Sequence, residues 1–253
     1  MPFTPTHVLA VLPIRLACKQ LSLVALVIGS VIPDFALFYP IVPYDFSHSL
    51  GGLFSYCLPS GLLVYCLYEL VGKVLIIDFS PLWVKSRIYS YRSVNNKIHL
   101  RSILMLSVAI LVGSETHIVW DSFTHEGAWG VNLLPSLNNL FDFAGIVLPG
   151  YKLLQYGSTF LGLPVLAGVV FIKLKKWEPN INCRFHHVAR KWKLFIVASF
   201  CLLPVAIFCS NLDQLESFKS IVGKVIKQSI GAGILMFLIY AILYKLFLGN
   251  NRR

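Results

Sequence analysis

The chain has 253 residues, of which 57% are apolar and only 13% are charged, and its mean hydropathy is +0.72. This composition excludes an ordinary water-soluble domain and predicts an integral membrane protein. The formal net charge of +11 does not indicate a nucleic-acid partner, because the Lys and Arg residues fall between apolar runs and not over one soluble face.

Six apolar runs are long enough to cross a bilayer core of about 30 Å, which takes about 20 helical residues. We therefore predict an all-α, polytopic membrane helical bundle with about six transmembrane helices plus a short re-entrant N-terminal helix. The chain is expected to form a single integral-membrane domain, residues 1–253, with a motif-bearing core at 1–172 and two additional spans at 194–248. The predicted spans are Leu21–Pro40, Ser49–Leu70, Ser102–Phe123, Tyr151–Ile172, Leu194–Ser210 and Ser229–Leu248.

The N-terminal segment predicts a helix from about Thr6 to Cys18, which reaches only about 20 Å and is too short to span a bilayer. Arg15 and Lys19 would hold its far end at the cytoplasmic face. Such a re-entrant helix would bring His7 to membrane depth, where it must be buried in protein or line a wet cavity.

Basic residues divide the connecting segments into two kinds. Val71–Arg101 and Lys173–Lys193 are rich in Lys and Arg, whereas Ile41–Ser47 and Thr124–Gly150 contain none. The positive-inside rule makes the first two cytoplasmic and, with six spans, places both termini in the cytoplasm. Asn211–Gln228 fits this topology less well, because it would carry three lysines on the outer side.

Acidic and imidazole side chains gather at the outer ends of the first three spans. Asp34 follows Pro33 in the first span, and His48 opens the second. The third span ends in "SETHIVWDSFTHEG", Ser114 to Gly127, which contains His117, Asp121 and His125. Ionisable groups inside a membrane cost about 2.5–3.5 kcal/mol each and are functional by default.

The spacing of His117 and Asp121 places them on one helix face, and His125 follows one turn later. Imidazoles with carboxylates suit a divalent metal, with zinc favoured and manganese or iron as alternatives. Each residue taken singly is better explained as a hydrogen-bonded interfacial group or, for Asp34, as a helix cap. That explanation does not account for the gathering of acids and imidazoles at one face that lacks Lys and Arg. The six cysteines form no C-x-x-C pair, so a thiolate site is disfavoured.

The start of the fourth span carries a further polar set, Lys152, Gln155 and Tyr156, at i, i+3 and i+4. We expect these residues to bind an anionic substrate group, although Lys152 can also simply reach the headgroups. Glu115 lies on a different helix face from His117 and is a candidate for proton transfer, alongside Asp121. The intervening segment, Thr124–Gly150, is expected to form a partly buried loop or a short interfacial helix.

Five blocks of the sequence carry a family resemblance. "MPFTPTHVLAVLP", "LVIGSVIPDF", "HSLGGLF", "HIVWDSFTHEGAW" and "LPGYKLLQYGS" together resemble a bacterial integral-membrane family of unknown function. The order of T-H, P-D, H-S and H-x-x-x-D is more distantly similar to inner-membrane metal-dependent hydrolases and to the zinc phospholipase C class. The resemblance implies a bacterial inner-membrane location and the following metal ligands: His7, Asp34, His48, His117, Asp121 and, less firmly, His125.

Three hypotheses follow for function. The first is a metal-dependent hydrolase of a phosphoester in a lipid or lipid-linked substrate at the outer leaflet, with membrane lipid as its partner and no nucleic acid. The second is an ion or proton transporter, although the inner halves of the spans offer few polar groups for a pathway. The third is a membrane protein in which the metal only ties helices together. The sequence gives no oligomeric state.

Overall fold

The computed structural model describes residues 4–93, 100–143, 145–180, 188–211 and 218–249, and these residues are predominantly helical. Short 3-10 turns precede or connect several helices, at Thr4–His7, Ile32–Asp34, Tyr89–Arg92 and Pro135–Asn138. The α-helices and strands in chain order are α1 (Val8–Ala17), α2 (Leu23–Gly29), α3 (Phe35–Phe38), α4 (Tyr44–Ser47), α5 (Leu50–Gly52), α6 (Leu58–Leu67), α7 (Lys73–Phe79), α8 (Leu82–Ile88), α9 (Leu100–Ser122), α10 (Trp129–Leu133), β1 (Leu140–Phe143), β2 (Ile146–Pro149), α11 (Gly150–Lys176), α12 (Arg190–Ser210) and α13 (Phe218–Tyr244).

Within the described residues, four helices are long and apolar enough to cross a membrane, which fits the predicted integral membrane protein. They overlap the last four predicted spans: Leu100–Ser122, Gly150–Lys176, Arg190–Ser210 and Ser220–Phe247. The last of them begins at Ser220 and not at the predicted Ser229, so it includes part of the predicted outer segment Asn211–Gln228. The first predicted span holds a shorter apolar stretch, Leu23–Phe38. The second is built from α5 and α6 with π-helical segments at Leu53–Cys57 and Tyr68–Gly72. The count of six spans stays a prediction.

The chain forms two compact units. The first draws on Met1–Ala36, Pro40–Tyr65 and Lys97–Lys176, and it contains all six predicted metal ligands. Its core is centred on the close crossing of α2 and α9. A Cβ on Gly29 would collide with the carbonyl oxygen of Ile110, and one on Gly113 would collide with that of Leu26. Glycine at both positions therefore lets the two backbones touch.

A break after α2 supplies the carbonyl groups that hold α9 in place. Pro33 has no N–H, so the carbonyl of Gly29 lacks its i+4 helical donor. The Ser114 hydroxyl donates to this carbonyl instead, at 3.0 Å. The Ser30 carbonyl accepts from Nδ1 of His117 at 2.7 Å. The proline that interrupts the first predicted span thus fixes the register of α9 against it.

The segment between α9 and α11 differs from the expectation of a loop or short helix. It contains the short helix α10, which agrees with the expectation, and also an antiparallel hairpin of β1 and β2, which was not expected. Gly145 adopts a positive φ of 82° near its turn, and its N–H donates to Oδ1 of Asp142 at 2.9 Å. Four-residue strands are too short to give a period-two pattern, which is why the sequence did not predict them.

The second unit comprises Leu37–Tyr39, Cys66–Asn96 and Trp177–Arg253. Its fully buried Asp78 accepts hydrogen bonds from the Arg92 guanidinium at 2.8–3.1 Å and from the Tyr244 hydroxyl at 2.9 Å. Parts of the predicted basic and outer segments, 94–99, 181–187 and 212–217, lie outside the described residues.

Candidate metal centre

His117 and Asp121 lie one turn apart on the buried face of α9. The i, i+4 spacing points both side chains the same way, and Nε2 of His117 lies 3.4 Å from Oδ2 of Asp121. Both residues are buried, His117 completely. This pair forms one side of the cluster, as the spacing in the sequence predicts.

Asp34 and His48 form the opposite side. Asp34 closes the 3-10 turn that follows the Pro33 break, and His48 is the residue that ends α4. Oδ1 of Asp34 lies 3.5 Å from Nε2 of His117 and 3.7 Å from Nε2 of His48. Pro33, which breaks the helix after α2, therefore also positions the carboxylate of Asp34.

The four side chains converge on one point. One ligand atom from each of Asp34, His48, His117 and Asp121 lies within 4.8 Å of the other three. The two imidazole Nε2 atoms are 3.4 Å apart, and His48 Nε2 is 3.7 Å from Asp121 Oδ2. This buried cluster can hold a metal ion.

Both histidines direct Nε2 into the cluster and Nδ1 toward a backbone carbonyl. Nδ1 of His117 bonds the Ser30 carbonyl, and Nδ1 of His48 lies 3.1 Å from the Tyr44 carbonyl, with the Ser47 hydroxyl at 2.9 Å. A carbonyl only accepts, so we assign a proton to each Nδ1, which leaves Nε2 with a lone pair when the ring is neutral. Backbone carbonyls orient metal-binding histidines in this way in many proteins.

Five of the six separations among the four ligand atoms are close to those around a tetrahedral ion. Four ligand atoms at about 2.0–2.1 Å from zinc in tetrahedral geometry would lie about 3.3–3.4 Å from each other. The separations observed between the Nε2 atoms and their neighbours are 3.4–3.7 Å. Two imidazoles and two carboxylates also fit the donor preferences of manganese and iron.

The other two predicted ligands stand just outside this group of four. Nε2 of His7 lies 3.4 Å from Oδ1 of Asp121, and the His7 ring stacks on that of His117 with centroids 3.7 Å apart. Nδ1 of His125 lies 3.8 Å from Oδ2 of Asp121 but bonds the Asp121 carbonyl at 3.0 Å. His7 is thus directed at the second oxygen of Asp121, and His125 lines the more exposed side.

Two hydroxyl groups that the sequence did not single out support the carboxylates. Thr4 donates to Oδ2 of Asp34 at 2.6 Å, and Tyr44 lies 3.4 Å from Oδ2 of Asp121. Their proximity to the motifs "TPTH" and "PYDFSHS" is the only sequence signal for this role. Hydroxyl residues are too common for that signal to be decisive.

The predicted substrate residues are only partly brought to the site. Lys152 donates to Oε1 of Gln155 at 3.2 Å, and Nε2 of Gln155 lies 3.5 Å from Nε2 of His125. Successive polar contacts through His125 and Gln155 therefore connect the cluster with Lys152. Tyr156, in contrast, is an exposed side chain of α11.

Glu115 lies away from the cluster. Its side chain is exposed, while that of His117, two residues later, is fully buried. Positions i and i+2 of a helix point in nearly opposite directions, so Glu115 has no direct route to the four ligand atoms. The predicted role of Glu115 in proton transfer receives no support from this placement.

Residues 1–246 match the family described as Domain of unknown function (DUF4184). Because the match extends over nearly the whole chain, the chain belongs to this family, which confirms the resemblance of the five sequence blocks to a family of unknown function. Searches of the curated proteins and of the solved structures gave no match.

Proposed function

We propose that this member of the DUF4184 family is a membrane-embedded, metal-dependent hydrolase that cleaves phosphoester bonds of lipid or lipid-linked substrates. The proposal includes six spans, a re-entrant N-terminal helix, cytoplasmic termini and a site near the outer face of a bacterial inner membrane. The supporting observations are the distribution of basic residues and the four apolar helices of membrane length.

The observation that carries the hydrolase proposal is a set of buried polar atoms beside the cluster that have no hydrogen-bond partner in the described part of the chain. They include Oδ1 of Asp121 and both ring nitrogens of His7. An unsatisfied buried polar group costs about 1–3 kcal/mol, so such atoms persist when a ligand satisfies them. A water molecule or a phosphoryl oxygen has the donors and acceptors to do so.

Asp34, His48, His117 and Asp121 are the residues that would hold the metal, for which we favour zinc over manganese or iron. When bound, such an ion lowers the pKa of water to about 7 and polarises a phosphoryl oxygen. Nε2 of His7 and Oδ1 of Asp121 lie 3.4 Å apart, so one water molecule beside them could contact both, and either atom would accept its proton. This assigns proton transfer to His7 and Asp121 and not to Glu115.

Lys152 supplies positive charge near the same site. In the described residues, its ammonium group donates to Gln155, which in turn reaches His125 beside Asp121. A phosphate bound near His125 would pair with this ammonium group through a charge-assisted hydrogen bond.

The test is hydrolysis of phospholipid analogues by the detergent-purified protein, with and without chelation of metal. We expect His7→Gln to lower kcat by about 10²–10⁴ while the metal content stays unchanged. Glu115→Gln is the matched control and should keep wild-type turnover. Equal turnover by metal-replete and chelated protein would contradict the proposal.

One observation favours a second candidate, a purely structural metal. Structural zinc sites are closed by four protein ligands, whereas catalytic sites keep a position open for water. The cluster already offers four ligand atoms. A metal that raises the melting temperature, in a protein that turns over none of the phosphoester analogues, would identify the structural role.

A further inference from the structure

The outer hairpin, formed by β1 and β2, exposes apolar side chains on both of its faces. The pairing of Leu140 with Pro149 and of Phe141 with Leu148 defines the two faces, since paired residues point the same way. Leu140 (70% exposed) and Val147 (56%) lie on one face, and Phe141 (46%) and Ile146 (62%) lie on the other. Such a hairpin of two strands is marginal in water.

The segment between α9 and α11, which contains the hairpin, is fixed at both ends to helices of membrane length. At its start, Gly130 of α10 packs so closely on Ser122 of α9 that a Cβ there would collide. At its end, the N–H of Gly150, the first residue of α11, donates to the Asn139 carbonyl at 3.0 Å. A Cβ on Gly150 would also lie 3.1 Å from the Phe141 ring. The hairpin is thus held next to the end of a spanning helix.

We infer that the outer hairpin lies within the lipid leaflet, at the level of the headgroups and the first acyl carbons, and that its binding partner is phospholipid. A protein partner would cover one face, whereas lipid surrounds both, as the exposure on both faces requires. The absence of Lys and Arg from Thr124–Gly150 fits an apolar insertion and not attraction to anionic headgroups.

The backbone sets how deep the hairpin can lie. Each of its two strands has an outer edge, because β1 and β2 pair only with each other in the described sheet. Unpaired N–H and C=O groups cannot be exposed to the hydrocarbon core, so the hairpin must remain where water and headgroups reach them. Asp142 satisfies one amide near the turn, that of Gly145.

The inference does not depend on hydrolysis, because the hairpin would contact lipid whether or not the cluster is catalytic.

The test uses the photoreactive residue p-benzoylphenylalanine, introduced separately at Ile146 and at Val147. Each protein is reconstituted in vesicles of phosphatidylethanolamine and phosphatidylglycerol, irradiated and analysed by mass spectrometry. The matched control carries the probe at Glu126, which is exposed in the polar turn that precedes α10. Using two probe positions on opposite faces protects the test against failure of one variant to fold.

We expect phospholipid adducts at Ile146 and at Val147 and only background adducts at Glu126. Adducts with a second copy of the chain at either position would overturn the inference in favour of a protein interface. A lack of lipid adducts at both positions, or lipid adducts at the same level at Glu126, would also overturn it. The same adducts are expected when Asp121→Asn is added, which separates this inference from the proposed hydrolysis.

Discussion

Nε2 of His48 and Nε2 of His117 face each other across 3.4 Å in a buried cluster, with no proton assigned to either atom. Two lone pairs at this distance, flanked by carboxylate oxygens of Asp34 and Asp121, repel one another in a medium of low dielectric. A cation bound between the four atoms converts this repulsion into attraction. The arrangement of these two imidazoles and two carboxylates therefore favours a bound cation.

Thr4→Val tests the support of Asp34. The hydroxyl of Thr4 donates to the carboxylate oxygen of Asp34 that points away from the histidines. Loss of such an outer hydrogen bond typically lowers metal affinity by about 10–100-fold. Competition with a chelator of known affinity measures the change. Thr116→Val is the control, because among the described residues the Thr116 hydroxyl bonds only the Gly113 carbonyl of its own helix. An equal loss in both variants would contradict the assigned role.

Gly29→Ala and Gly113→Ala test the close crossing of α2 and α9. A methyl group at either position would overlap a backbone carbonyl, so the helices must separate. We expect destabilisation of about 1–3 kcal/mol, as for other overpacked cores, and weaker metal binding because Ser30 moves away from His117. Thermal unfolding in detergent measures the first effect.

Gly157→Ala provides the control for this pair. A Cβ at Gly157 of α11 meets nothing within 4 Å, so alanine should be neutral or stabilising by up to about 1 kcal/mol. A melting temperature that falls equally in all three variants would show that the crossing is not specially close.

Asp78→Ala tests the ionic network of the second unit. Its loss leaves the Arg92 guanidinium and the Tyr244 hydroxyl without their buried acceptor. Breaking a buried pair costs about 3–5 kcal/mol, and we expect the lower end because Arg92 is partly exposed. The melting temperature should fall clearly while the metal content remains at the wild-type level, because all the proposed ligands belong to the first unit. Loss of metal in this variant would contradict that separation.

Lys152→Met tests the proposed phosphate contact. Methionine keeps much of the length of the side chain but removes its charge and its hydrogen bond to Gln155. We expect KM for a phospholipid analogue to rise about tenfold, because loss of a charged contact costs roughly 1.4 kcal/mol. The metal content should stay unchanged. Tyr156→Phe is the control, since that side chain is exposed. An unchanged KM in Lys152→Met would contradict the proposed contact between Lys152 and the substrate phosphate.

Much of the candidate site was predictable because its chemistry is local in the sequence. The i, i+4 spacing of His117 and Asp121 determines that they share a face on any helix. Ionisable residues in spans face the bundle interior, and Asp34 and His48 lie at the same ends of the predicted spans as His117 and Asp121, so the prediction included them. The structure brings these four residues together. The re-entrant N-terminal helix, which would bring His7 to the same membrane depth, stays a prediction.

Other features depend on tertiary contacts that carry no pattern along the chain. The acceptor for His117 is the backbone carbonyl of Ser30, at the break after α2, and the donor for Asp34 is a threonine thirty positions away. Neither residue type is unusual enough to mark its role. The hairpin was missed because its strands have four residues each and apolar side chains on both faces, so no alternation of polar and apolar residues distinguishes it.

The most direct test of the metal centre is elemental analysis of the detergent-purified protein by mass spectrometry. Wild type, a His117→Ala/Asp121→Ala double variant and the control Glu115→Ala are compared after identical metal replenishment. We predict near-stoichiometric zinc, manganese or iron in wild type and in Glu115→Ala, and its loss in the double variant. Metal absent from all three proteins, or retained by the double variant, would contradict the assignment of this cluster as a metal site.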